Sequence, residues 1–487
     1  MLRLLVTQGQ QLMRASLLFI LTLLASSSMH SIAGEQKGPS PLDAIFKETE
    51  PLRFPRRERL PLFLWTPDYP AAADDTELER VIKELDARGI SLLARWKFGE
   101  LEKSAALALR IGKIQKKLGL KVCVEGTGDV VHGLYDGKPD VAHQGADGKP
   151  FFDDSFFWKA GCPFTMKLRY EKMKSRLEPF LKKYAEAGVE LDFWTADYEF
   201  DGPSEWNAGW AAAKKCTVCR EHIKDIDSNF TSFQNAVRAA RSDFQNEVFC
   251  KTIRSHFPKA LIGVYGMNPH KGTRYWWDFF EKPEPIEGIS YTKENGGLHR
   301  PWVHEFEPAG YNVAMPVIYS LYNAYNFENK EFGWFYNMLL EASAVGEATP
   351  VNIPLIPFVH WSITAPKGKT PLSEQKYEEV LWHLLLRGHD TFCMWSPAEQ
   401  TAQAVKPVHR VYAAALEFSE FLNKGTPVTF AVPSENAPVL SALRLGNRLL
   451  VRRTDFGSGN APAILQLDGR DVSVPRADGK CQIITLP

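Results

Sequence analysis

The chain of 487 residues has no surplus of either charge: 58 Lys and Arg balance 58 Asp and Glu, for a formal net charge of 0. A neutral surface gives no general electrostatic footprint for nucleic acid, an anionic membrane or a polyanionic substrate. Cysteine is scarce. There are seven, an odd number that leaves at least one outside any set of disulfides. The apolar run at residues 17–25 (LLFILTLLA) has nine residues, against the roughly 20 that a bilayer-spanning helix needs. No G-x-G-x-x-G or Walker A loop follows any apolar run, which weakens a nucleotide-binding open sheet. No G-x-S-x-G elbow supports a serine hydrolase, and no H-E-x-x-H or H-x-H pair supports metal-dependent hydrolysis.

What is present describes a large globular chain. Hydrophobic residues make up 44% and charged residues 24%, which excludes disorder, collagen or coiled coil as a description of the whole. Aromatics are abundant at 12%, with 13 Trp. They suit a large core, and equally a surface that stacks on sugar rings or bases.

The N-terminus reads as a secretory signal over residues 1–33. Arg3 and Arg14 supply positive charge, residues 17–25 the apolar core, and Ser31-Ile32-Ala33 a small-residue cleavage site. The expected location is secreted or periplasmic, with no stable membrane anchor. Export permits disulfides. Only Cys216-x-x-Cys219 is closely spaced, with His222 three residues on. A zinc site needs a second ligand pair, and none is evident at a matching distance. The pair is therefore read as structural or disulfide-forming, and neither metal nor cofactor is expected.

From residue 60 onward, short apolar runs alternate with amphipathic stretches. The runs are 60–65 (LPLFLW), 90–95 (ISLLAR), 120–125 (LKVCVE), 190–195 (ELDFWT), 260–266 (ALIGVYG), 286–292 (IEGISYT), 312–319 (NVAMPVIY), 352–361 (NIPLIPFVHW) and 391–395 (TFCMW). Between them, residues 75–88 place Leu78, Val81, Ile82 and Leu85 on one helical face. Such alternation predicts βαβ units and a parallel sheet. The expected fold class is α/β: a (β/α)8 TIM-type barrel over residues 50–422, one of the nine runs being surplus. Residues 423–487, with short β runs between turn residues and no helical pattern, predict a small antiparallel, sandwich-like β domain. A long insertion at 126–164 repeats the turn tetrapeptide DGKP and holds His132 and His143. It falls where barrel loops shape an active site.

The most informative segment is residues 191–203, LDFWTADYEFDGP, an apolar strand running into Asp197-Tyr198-Glu199. Residues two apart on a strand share a face, so Asp197 and Glu199 both point into the barrel mouth. Two crowded carboxylates repel, and one then holds its proton near neutral pH, as a general acid must. The pattern Asp192-x-x-Thr195-x-Asp197-x-Glu199 resembles the D-x-x-D-x-D-x-E signature of chitinase-like hydrolases, with Thr at the second Asp. Its D-x-E core also resembles hyaluronidase-like and other retaining hexosaminidases. The resemblance implies Glu199 as acid/base and Asp197 as the residue orienting a substrate 2-acetamido group, whose carbonyl oxygen is the nucleophile.

The late strands end in Tyr319, His360-Trp361 and Trp395-Ser396, without a carboxylate. A retaining enzyme with its own nucleophile needs a second carboxylate about 5–5.5 Å from the first. Glu294 and Asp201 keep that two-carboxylate alternative, on a neutral polysaccharide, open. Other strand ends supply the walls of a sugar site: Trp65, Trp96, Tyr265, Asn268, Tyr291, Tyr319, Tyr322, Trp361 and Trp395. Tyr319 is the candidate to hydrogen-bond the reacting centre, by analogy with chitinase-like enzymes. The expected activity is hydrolysis of N-acetylhexosamine-containing glycans, the partner being an oligo- or polysaccharide. A catalytically inactive glycan-binding barrel is the non-enzymatic rival.

Overall fold

A computed structural model describes residues 41–65, 74–131, 137–153, 159–197, 207–265, 303–318, 330–361, 372–397, 400–433, 437–477 and 479–487. The signal segment lies outside them, as do Glu199, Asp201, Asn268, Tyr291, Glu294, Tyr319 and Tyr322. No helix of the described residues is long and apolar enough to cross a membrane.

The strands are β1 (Leu62–Leu64), β2 (Ile90–Leu92), β3 (Ala94–Trp96), β4 (Cys123–Gly126), β5 (His143–Gln144), β6 (Pro150–Phe151), β7 (Phe193–Ala196), β8 (Leu261–Ile262), β9 (Val317–Ile318), β10 (Phe358–Val359) and β11 (Cys393–Met394). Apart from the β5–β6 hairpin they form two parallel ladders, β3-β4-β7-β8 and β2-β1-β11-β10-β9. Only Leu93 separates β2 from β3, and its N–H donates to the Leu64 carbonyl at 3.4 Å. The strands therefore follow one another in chain order around an arc, with helices between them. The ninth apolar run, 286–292, lies outside the described residues.

No ladder joins β8 to β9 among the described residues, but Asn312 spans the gap at the N-terminal end. Its N–H donates to the Ile262 carbonyl at 3.2 Å, its Oδ1 accepts from the Ile262 N–H at 2.6 Å, and its Nδ2 donates to Ala260 at 3.1 Å. Two aspartates act alike before other strands. Asp192 Oδ2 accepts from the Val122 N–H, and Asp390 Oδ2 from the Leu355 N–H, both at 2.8 Å. Each satisfies a backbone donor where the regular ladder has not begun. Asp192 is thus a framework residue at the foot of β7, at the opposite end from Asp197.

The helix Asp75–Ala87 shows how the intervening segments form. Asp74 caps it, accepting from the Glu77 N–H at 2.8 Å, and the buried face is Leu78, Val81, Ile82 and Leu85. It ends before Gly89, whose φ of 69° favours glycine, and where an added Cβ would crowd Tyr412.

Strand parity separates two apolar layers. Leu62, Leu64, Ala94, Trp96, Val124, Trp194, Ile262 and Val359 pack outward into the helices. Phe63, Trp65, Leu93, Cys123, Phe193, Met315, Val317, Phe358 and Cys393 fill the inside. Because both faces are buried, each strand reads as a continuous apolar run, as parallel sheets do.

After the helix Ser419–Lys424 come β12 (Thr426–Pro427), β13 (Val439–Leu445), β14 (Arg448–Thr454), β15 (Ala463–Leu467), β16 (Arg470–Val474) and β17 (Gln482–Thr485). They form an antiparallel sheet, β12-β13-β14-β17, and a β15–β16 hairpin. The sheet meets the helix Glu374–Leu386 through buried polar groups. Arg452 binds Glu379 bidentately at 2.9 and 2.6 Å, and the Thr454 hydroxyl donates to Glu379 at 2.5 Å. Since Thr454 gives its proton to Glu379, it accepts from His383 Nε2 at 3.0 Å. His383 Nδ1 then accepts from Ser441 at 2.7 Å, and Ser441 accepts from Arg387 Nε at 2.8 Å.

This core holds several histidines in the neutral form. Burial pulls His360 and His389 down to about 3 and His409 to about 4, and it also lowers His383, with help from Arg387 and Arg452. A depressed folded-state pKa means that protons bind the unfolded chain first. The stability from these groups is complete above the unfolded value of roughly 6.5 and is lost as pH falls toward the folded values. Asp390 and Glu378, raised by burial, act in the opposite direction. The net expectation is a fall in unfolding free energy on the order of 2 kcal/mol per buried histidine between pH 7.5 and pH 5. Chemical denaturation at the two pH values measures it, and an unchanged midpoint would contradict the assignment.

Candidate functional site

The site is built at the C-terminal ends of β3, β4 and β7. Their register pairs Arg95 with Glu125 and Glu125 with Thr195. Cys123 and Phe193 belong to the inner layer, so by period two Glu125, Thr195 and Asp197 face inward as well. The Asp197 N–H donates to the Gly126 carbonyl at 3.0 Å, which extends the ladder to the mouth. Asp197 is half-buried there. Glu125 is 2% exposed and forms an ion pair with Arg95 Nε at 3.1 Å. Thr195 Oγ1 is buried and has no hydrogen-bond partner among the described residues.

The same inner layer also carries an aromatic wall. Trp65 follows β1, Tyr265 follows β8 and Trp395 follows β11. The ring centre of Trp65 lies 5.5 Å from Tyr265, 6.3 Å from Trp395 and 4.9 Å from Phe358. Trp65 and Tyr265 are nearly buried, while Trp395 is half-exposed. Trp65 Nε1 is a buried donor without a partner among the described residues. His360, after β10, meets the edge of Trp395 at 6.0 Å, and burial keeps its ring neutral at ordinary pH. An apolar inner wall, a half-exposed Trp, an inward carboxylate and an ion pair can together bind a polyhydroxylated ring and move a proton on it.

Two aromatics expected in the walls sit elsewhere. Trp361 packs against the outer core, stacks on Tyr377 at 6.3 Å and donates from Nε1 to the Leu372 carbonyl at 2.7 Å. Trp96 is fully buried and stacks on Phe180 at 5.0 Å. Both have the parity of the helix-facing side: His360 and Arg95, one residue earlier, hold the inward positions. Glu199, Asn268, Tyr291 and Tyr319 lie outside the described residues.

Three inward residues, Arg95, Glu125 and His360, were not singled out by sequence reasoning. The signal for Glu125 was present, because the run LKVCVE ends on it two residues after Cys123. His222, three residues after Cys219, stacks on Phe164 at 4.5 Å, with Nδ1 2.8 Å from the Val218 carbonyl.

No protein-family model matches the chain, and no curated protein does. Solved structures with a similar course include α-L-fucosidase isoenzyme 2 from Paenibacillus thiaminolyticus (9% identity, TM-score 0.44), where the match covers 76% of this chain and 51% of the fucosidase. The chain thus spans about half the length of that enzyme. A noncanonic maltogenic α-amylase from Thermotoga neapolitana is 10% identical at a TM-score of 0.46, covering 88% of this chain and 96% of the amylase. A putative α-galactosidase from Bacteroides fragilis is 10% identical at a TM-score of 0.39, covering 88% of this chain and 77% of the galactosidase.

Proposed function

We propose that the protein is a secreted or periplasmic glycoside hydrolase on a (β/α)8 barrel, acting on N-acetylhexosamine-containing glycans. In this reading Glu199 protonates the glycosidic oxygen. Asp197 orients the substrate acetamide, whose carbonyl oxygen attacks the anomeric carbon and leaves a cyclised oxazolinium intermediate. Water then opens that ring with Glu199 as base. The observation that carries the reading is the inward position of Asp197 at the C-terminal end of β7, the end at which barrel enzymes place their chemistry. Glu199 stands two residues beyond Asp197 in the sequence, the spacing of the D-x-E pattern. Trp65, Tyr265 and Trp395 then offer apolar surface to the C–H faces of a sugar ring.

The buried, Arg-paired Glu125 favours a second reading, in which a protein carboxylate rather than the acetamide is the nucleophile on a neutral polysaccharide. One pair of measurements separates the two. Under substrate assistance, a thiazoline mimic of the cyclised intermediate is expected to bind at least ~10²-fold more tightly than the parent sugar. Aryl N-acetylhexosaminides should also be cleaved in preference to plain hexosides. Indifference to the thiazoline, with trapping of a glycosyl ester on Glu125 by a 2-fluoro glycoside, would replace the first reading with the second.

A further inference from the structure

A second constellation forms where the insertion after β4 meets the segment after β7. His143 on β5, Cys162 at the end of the insertion, and Cys216 and Cys219 at the start of the helix Thr217–His222 are all buried. One ligand atom from each lies within 4.8 Å of every other. Cys162 Sγ is 3.6 Å from Cys219 Sγ and 3.9 Å from Cys216 Sγ, and Cys219 Sγ is 3.8 Å from His143 Nδ1. Ligands about 2.3 Å from a zinc ion at the corners of a tetrahedron stand about 3.8 Å apart. The spacing matches that value. A disulfide needs sulfurs about 2.05 Å apart, and one bond among three thiols would still leave a buried cysteine over.

We propose that His143, Cys162, Cys216 and Cys219 form a closed, tetrahedral Cys3His site for a structural zinc ion. Three thiolates and an imidazole are the soft donor set that zinc selects, and a complete protein shell leaves no position open for catalysis. The surroundings are built to hold the ligands. The second DGKP sequence turns the β5–β6 hairpin, with Gly148 at φ 74° and Asp147 Oδ1 accepting from the Lys149 N–H at 3.1 Å. The hairpin presents His143, whose ring stacks on Phe151 at 5.1 Å. The Cys162 N–H donates to the Val141 carbonyl at 2.6 Å. Gly161 has no room for a side chain, since a Cβ there would strike that same carbonyl. The Gln144 N–H points at Cys216 Sγ at 3.5 Å, the kind of outer contact that steadies a metal thiolate. Ala213, Ile223, Ile226, Phe233 and Val237 close an apolar shell around the sulfurs.

The consequence is a clip between two loops. One is the long insertion; the other begins directly beyond Asp197 and Glu199. The zinc ties the segment that carries Cys216 and Cys219 to the insertion that carries His143 and Cys162. This inference stands independently of the glycosidase reading.

The test is metal content of the full chain, produced in zinc-supplemented medium and desalted. About one zinc per chain is expected by mass spectrometry of the elements. Cys162→Ser and Cys219→Ser are expected to fall below about a tenth of that, and Cys481→Ser, outside the cluster, to keep it. Should the first two variants not fold, titration of the wild-type chain with a mercurial answers the same question. Zinc release into a colorimetric dye should then follow the loss of three thiols. Wild-type protein without stoichiometric zinc, a Cys219→Ser variant that retains it, or peptide mapping that places Cys162, Cys216 or Cys219 in a disulfide would overturn the proposal.

Discussion

Glu199→Gln is expected to lower kcat by roughly 10²–10⁴-fold while oligosaccharide affinity stays within about threefold. The amide keeps the size and much of the hydrogen bonding of the carboxyl but cannot give up a proton to the leaving group or take one from water. The aromatic wall of Trp65, Tyr265 and Trp395 is untouched. Asp197→Asn should also lose kcat, and the loss should be confined to substrates bearing a 2-acetamido group, because only their nucleophile needs orienting. Isothermal titration with an uncleaved oligosaccharide, beside turnover of an activated aryl glycoside, reads both quantities. A Glu199→Gln variant that loses binding in parallel with turnover would favour the glycan-binding rival. One that keeps full turnover would remove Glu199 from the mechanism.

The second large effect concerns stability. Glu379→Ala is expected to cost about 3–5 kcal/mol, because it strands the buried Arg452 guanidinium without its bidentate partner. The two side chains are 8% and 5% exposed, and the same carboxylate accepts the Thr454 proton that orders the chain through His383 to Arg387. Arg452 also lies over the Trp382 ring at 5.0 Å, so the helix and the antiparallel sheet lose their shared anchor together. The double variant Glu379→Leu/Arg452→Met should recover most of the loss, since a well-packed apolar pair of similar volume replaces a buried ion pair at little cost. Denaturant midpoints of the three proteins check both parts. A single variant within about 0.5 kcal/mol of wild type would show that the pair contributes nothing, as exposed pairs commonly do.

The sequence alone determined what is local. Apolar runs bounded by turn residues gave the parallel strands their places and order, and the helix after Asp74 buries the face that its 3.6-residue period marks. In the TADYE segment the inward position of Asp197 was legible, because it stands two residues after Thr195 and four after Phe193 on one strand. Which face of the other strands looks inward was not legible. A parallel strand is apolar on both sides, so no polar alternation told Trp361 from His360 or Trp96 from Arg95. Only packing against Phe180 and Tyr377 decided that those two tryptophans belong to the helix layer. The same limit hid Glu125, whose partner Arg95 comes from a neighbouring strand 30 residues away.

The cysteines show the division most clearly. A scarce, odd set with one C-x-x-C pair looked like a structural or disulfide pair lacking a second half. The missing half is Cys162 and His143, the latter 76 residues before Cys219. No spacing rule connects such positions. They converge because an insertion and a loop from two strand ends fold onto one apolar shell, and that is a property of the tertiary structure alone.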